Sequence, residues 1–140
     1  MPPVKISTRQ EYDYCVLRGY EPLINDIFDM DIALRLQIQR EKFGRGHTMA
    51  ENERFYRWCW GHYPHKCQET LRRLDSYSAV YISHILTRGA HPAMAHDPRN
   101  VNILSFEAHN KWENGDRQSM RIYAKNQITI KKLLNEYRNL

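Results

Sequence analysis

Hydrophobic positions fall into three regimes along the chain. Residues 1–20 show no clean period and read as a tail or a short packed arm. From Glu21 onward, Leu23, Ile27, Met30, Leu34 and Ile38 recur at helical steps, lining one face of a helix. Pro22 suits the first turn of that helix, and Phe43-Gly44-Arg45-Gly46 supplies its stop. A second helix is predicted over 50–60, with Phe55, Trp58 and Cys59 turned inward as core.

The pattern then changes. Residues 77–86 are β-branched and aromatic and predict a strand, and a loop rich in Gly, Pro, His and Asp follows over 87–99. Residues 101–104 predict a short second strand and 106–114 a helix that stops at Gly115. Ile130, Leu134 and Tyr137 mark a closing C-terminal helix, with Lys131, Lys132 and Arg138 on its other sides. The expected class is α+β. An N-terminal helical portion (1–60) packs on a strand-loop-strand-helix unit with its closing helix (61–140), as one compact domain.

Composition narrows the class further. A chain of 140 residues that is 41% hydrophobic can build a core and is too apolar for a disordered tail. No apolar run approaches the roughly 20 residues that span a bilayer, so no membrane is expected as partner. The first residues lack the apolar stretch of a secretory signal, and three cysteines cannot close a disulfide framework. A reduced, intracellular protein is the expectation. The net charge of +5 is unevenly distributed. Residues 1–50 balance seven basic against seven acidic side chains, whereas 51–140 carry fourteen against nine. That excess suits a polyanionic partner.

The candidate chemistry lies in the strand-loop-strand-helix unit. His84 stands at a strand end, where a neutral imidazole can take a proton near pH 7; a satisfied core histidine is the bland alternative. His109 and Glu113 are four apart on a predicted helix, so imidazole and carboxylate stack on one face and can share a divalent cation. Asn100 lies where the loop re-enters the second strand and can bond backbone to pin it. Arg88, Arg99 and Lys111 lie nearby in sequence as candidate phosphate contacts. A separate run, Cys59, His62, His65 and Cys67, offers four borderline metal ligands, but its spacing fits no common zinc finger and Pro64 stiffens its middle.

The stretch YISHILTRGAHPAMAHDPRNVNILSFEAHNKWENG resembles an HNH endonuclease of the ββα-metal type. It is most similar to phage-type variants that read S-H-I-L-x-(K/R)-G-A-x-P, then D-x-x-N, then L-C-x-x-C-H-x-x-W-E. The resemblance covers residues 64–115 and continues weakly into 120–123. It implies that His84 is the general base, that Asn100 braces the loop and helps hold that histidine, and that His109 is a metal ligand. Glu113 falls where other members often have a second ligating His. Ser83 fills a position at which many members have a ligating Asp or His, and a serine ligates poorly; water, Asp97 or His96 could complete the shell.

The implied reaction is one-metal hydrolysis of DNA, leaving 5′-phosphate and 3′-hydroxyl ends. Mg²⁺ is the expected ion, with Mn²⁺, Ni²⁺ or Zn²⁺ also admitted by the His ligand. Many members also hold the unit together with a structural zinc on two C-x-x-C pairs. Here those four positions read Cys67, Thr70, Ser105 and Ala108, so that zinc is expected to be absent. The N-terminal helices would set partner choice or homodimer formation. Two other classes stay open: a non-catalytic nucleic-acid-binding protein that keeps the ββα shape, and a structural or assembly factor of a phage particle.

Overall fold

The computed structural model describes residues 4–23, 31, 33–34 and 47–138. The order is β1 (Val4–Lys5), α1 (Arg9–Arg18), β2 (Pro22–Leu23), α2 (Met49–His62), β3 (Ile82–His84), β4 (Val101–Ile103), α3 (Phe106–Asn114) and α4 (Tyr123–Arg138). The class is α+β. Among the described residues no helix is long and apolar enough to cross a membrane.

The N-terminal segment corrects two expectations. Where a tail or short arm was expected, α1 forms, and Pro22–Leu23 pairs in parallel with Val4–Lys5 instead of opening a helix. The reason is local. Thr8 accepts a hydrogen bond from the Glu11 N–H at 3.1 Å, and Gly19 closes α1 at φ 69°, a conformation in which glycine alone carries no Cβ penalty. Tyr14, Val16 and Leu17 remain exposed on α1, which is why no period betrayed it. Ala33 and Leu34 are helical, Leu34 is fully buried, and its N–H bonds to the Asp31 carboxylate at 2.8 Å. Ile27, Met30 and Ile38 of the predicted helix face lie outside the described residues.

The predicted 50–60 helix is α2, started by a reciprocal Thr48–Glu51 capping box and burying Asn52, Phe55 and Cys59. The predicted 77–86 strand is shorter than expected because Ala79–Tyr81 winds into a 3₁₀ turn first. β3 and β4 pair antiparallel with Ile82 opposite Ile103, Ser83 opposite Asn102 and His84 opposite Val101. Alternation then divides the hairpin between two cores. Ile82, Val101 and Ile103 pack against Phe55 and Cys59 of α2. Ile85 and Leu104, on the other face, pack against Ala108 and Trp112 of α3 and against Met120 and Ile122 beyond it. The hairpin is therefore a thin layer between α2 and α3.

Candidate active site

His84 owes its position to the hairpin and to the loop that follows it. Asn100, fully buried, accepts from the Leu86 N–H at 2.8 Å and donates to the Leu86 and Met94 carbonyls at 2.9 and 3.2 Å. One amide thus ties both ends of the 87–99 loop together. That loop presents the Ala95 carbonyl, which accepts from His84 Nε2 at 2.8 Å. With Nε2 carrying the proton, Nδ1 is the basic nitrogen. Burial pushes the imidazole down to about 4, and the field of Arg88 acts in the same direction. At neutral pH His84 is therefore uncharged, with a lone pair to offer. Asn100 does not line the cleft; it acts by holding the loop.

The ring of His84 lines a cleft of about 440 Å3, together with Arg88, Gly89, His47, Asn52 and Glu113. Arg88 is exposed and has no ion-pair or hydrogen-bond partner among the described residues. Glu113 brings the edge of α3 into the same cleft. His109, one turn earlier, holds Glu113 Oε1 at 2.9 Å through Nε2, while its Nδ1 donates to the Val80 carbonyl at 2.7 Å. Nε2 and Oε1 are thus adjacent donors on one face of α3. Two donors in neighbouring positions of an octahedral ion, each about 2.1 Å away, lie about 3 Å apart, close to the distance seen here. The fixed tautomer is also what a ligating imidazole needs.

Ser83 sits on the α3 side of the hairpin, fully buried, and its Oγ has no hydrogen-bond partner among the described residues. His109 and Glu113 thus fit a cation that also takes water and phosphate oxygens. Among the described residues no group of three or more His, Cys, Asp and Glu side chains is arranged to hold a metal.

Other sequence candidates are placed elsewhere. The Arg99 guanidinium bonds Asp97 Oδ2 at 2.9 Å and Glu136 at 2.6 Å, so its charge is absorbed in tying the loop to α4 rather than offered to phosphate. Asp97 also accepts from the Tyr137 hydroxyl at 2.9 Å and is fully buried, and the His96 ring bonds Asn52 at 2.9 Å; neither joins the His109–Glu113 pair. Lys111 is exposed on α3 and does not line the cleft. The Cys59, His62, His65 and Cys67 run does not converge. His62 stacks on Trp58 and His65 on Trp60, while burial pushes the Cys59 thiol up to about 12, keeping it protonated.

Cys67 lies instead beside the three positions paired with it in the sequence comparison. Its Sγ is 3.6 Å from Ser105 Oγ and accepts from the Thr70 N–H at 3.4 Å; Ser105 Oγ in turn caps α3 by accepting from the Ala108 N–H at 3.3 Å. Hydrogen bonds and packing close this corner.

His47 and Asn52 were not foreseen. His47 stacks on His96 with ring centroids 3.6 Å apart, and His96 stacks on Phe55 at 4.8 Å, which brings the start of α2 into the cleft wall. An asparagine within the buried stripe of α2 was the available signal. Comparison of the chain with family models, with curated proteins and with solved structures finds no match.

Proposed function

We propose that the chain is a metal-dependent endonuclease of the HNH type that hydrolyses DNA phosphodiester bonds within a ββα-metal unit. The observation that carries this reading is one cleft that holds a neutral, carbonyl-oriented histidine, an arginine with no partner among the described residues and the carboxylate of a His–Glu pair. The corner formed by Cys67, Thr70, Ser105 and Ala108 supports the same alignment from a second place in the chain.

In this reading Arg88 binds a non-bridging oxygen of the scissile phosphate. His84 Nδ1 takes a proton from the water that attacks phosphorus; the new P–O bond forms as the bond to the 3′ oxygen breaks, and solvent protonates that oxygen. The Ala95 carbonyl keeps the imidazole in the required tautomer and shares the charge that develops on it. His109 and Glu113 would hold one divalent cation, Mg²⁺ by preference, which supplies positive charge at the phosphate when bound. Ser83, in place of a third ligand, favours a second reading in which the unit docks on DNA without cutting it.

Plasmid cleavage with Mg²⁺, Mn²⁺ or EDTA, comparing the wild type with His84→Ala, tests this. Metal-dependent nicking or linearisation that disappears in the variant is the expected result. Unchanged cleavage by His84→Ala overturns the site, and DNA binding without cleavage under any metal selects the docking reading.

A further inference from the structure

The turn that follows Cys67 carries a feature the cleft does not explain. Leu71 sits at φ 64°, the only non-glycine residue at positive φ among the described residues, and 47% of its surface is exposed. A side chain with a Cβ is disfavoured there and an exposed apolar one gains little from burial, so glycine or asparagine would suit the fold better. The turn is nonetheless rigid. The Leu71 N–H bonds the Cys67 carbonyl and the Cys67 N–H the Arg72 carbonyl, both at 2.8 Å, with the Cys67 thiol bonded beneath. An apolar side chain is being held out on a stiff support.

Its surroundings say what it meets. Tyr63, Pro64 and Leu71 wall a shallow open groove of about 610 Å3, rimmed by His65, Lys66 and Arg73. Arg72 is exposed beside it, and the one nearby ion pair, Arg73 to Asp75 at 3.6 Å, lies almost wholly in solvent. An apolar tip between cations fits a polyanion that offers apolar faces between its charges, which is stacked bases along a phosphate backbone. The support also ties the tip to the cleft. Ser105, which Cys67 contacts, caps α3, and His109 lies about 6 Å further along that helix.

We propose that Leu71 is a wedge that enters a base step of duplex DNA while Lys66, Arg72 and Arg73 hold the flanking phosphates, so that the enzyme favours DNA that is already locally opened. The choice of DNA as partner rests on the nuclease reading.

The test is fluorescence anisotropy in EDTA, with a labelled perfect duplex and the same duplex carrying a central bulge. Wild type is expected to bind the bulged duplex about tenfold more tightly, because its unstacking cost is already met. Leu71→Gly and Leu71→Asn should each lose that preference without a fall in Tm, since both relieve the backbone. Arg72→Gln should weaken both duplexes alike and lower the salt slope by about one. No preference in the wild type, a preference that survives in both Leu71 variants, or no DNA binding at all overturns the wedge. Adding Mn²⁺ to the wild type separates the two readings. Leu71-dependent bulge preference without cleavage sinks the nuclease and keeps the wedge; cleavage without that preference does the reverse.

Discussion

The cleft around His84 and the corner around Cys67 are built alike and finished differently. Each gathers polar groups from segments far apart in sequence around the β3–β4 hairpin and α3. In the corner the polar atoms bond one another: thiol to hydroxyl, hydroxyl to helix N-terminus, backbone N–H to sulfur. In the cleft, valences are left over. His84 has one nitrogen bonded and one basic, Arg88 has no counter-ion among the described residues, and His109 Nε2 and Glu113 Oε1 lie 2.9 Å apart at the cleft edge. Hydrogen bonding that closes on itself holds a fold together, whereas hydrogen bonding that orients groups and leaves them unspent serves a reaction.

That contrast breaks first on turnover. If the proposed nuclease reading holds, His109→Ala and Glu113→Ala should each lower cleavage by about 10²-fold or more, since each would remove a holder of the cation. Cys67→Ala should leave turnover within about threefold while lowering stability by about 1–2 kcal/mol, because it opens a cavity and strips Ser105 of a partner. Rates by plasmid cleavage and stabilities by urea unfolding check both halves. Equal losses of turnover in the two sets would end the distinction.

The corner also makes a constructive prediction. Sulfur ligands on a tetrahedral zinc lie about 3.8 Å apart, close to the 3.6 Å between Cys67 Sγ and Ser105 Oγ. The triple variant Thr70→Cys, Ser105→Cys, Ala108→Cys should bind one zinc and gain several kcal/mol of stability when it does. The wild-type thiol has its own settlement: burial raises its pKa, but hydrogen bonds from Ser105 and Thr70 outweigh burial and leave it lowered. Failure of the triple variant to take zinc would remove the corner from the argument for the ββα reading.

The cleft should show itself in acid. Burial holds the folded pKa of His84 near 4 against 6.5 for the free side chain, so the unfolded chain takes up this proton first as pH falls. The contribution of His84 to stability is complete above pH 6.5 and is lost between there and pH 4, about 3 kcal/mol in all. Burial shifts His47 in the same direction, adding to the same window. His84→Gln should flatten this part of the curve in urea titrations at stepped pH. A wild-type curve with the same slope would mean that His84 is solvated.

What was legible in the sequence was local. Phe106–Asn114 was read to the residue because Gly115 closes it from a few positions away. His84, Arg88 and Glu113 come to one cleft because one hairpin, its loop and the helix after it carry them. The misses are tertiary. His47 and Asn52 reach the cleft from the start of α2 and the residues before it, with Asn52 bonded to a ring 44 residues away, and Glu136, which takes up the Arg99 charge, lies 37 residues further on. Leu71 escaped because no glycine announced its turn, and α1 because its caps carried information that its hydrophobic pattern lacked.

The smallest expected effect concerns the run that looked most like a metal site. His62 and His65 lie flat on Trp58 and Trp60, with centroids 3.9 and 3.7 Å away, and each bonds the backbone carbonyl of the same tryptophan. Both histidines are exposed, so water replaces those bonds at little cost and only the stacking is lost. His62→Ala and His65→Ala should each cost less than about 1 kcal/mol, and zinc should leave the wild-type Tm unmoved. The Cys59 thiol, kept protonated by its burial, is the physical reason: a ligand that must first lose a proton inside an apolar core is a poor partner for two surface imidazoles. A zinc-dependent rise in wild-type Tm that His62→Ala abolished would mean that the segment rearranges around metal. The line between a closed corner and an open cleft would then need a third site.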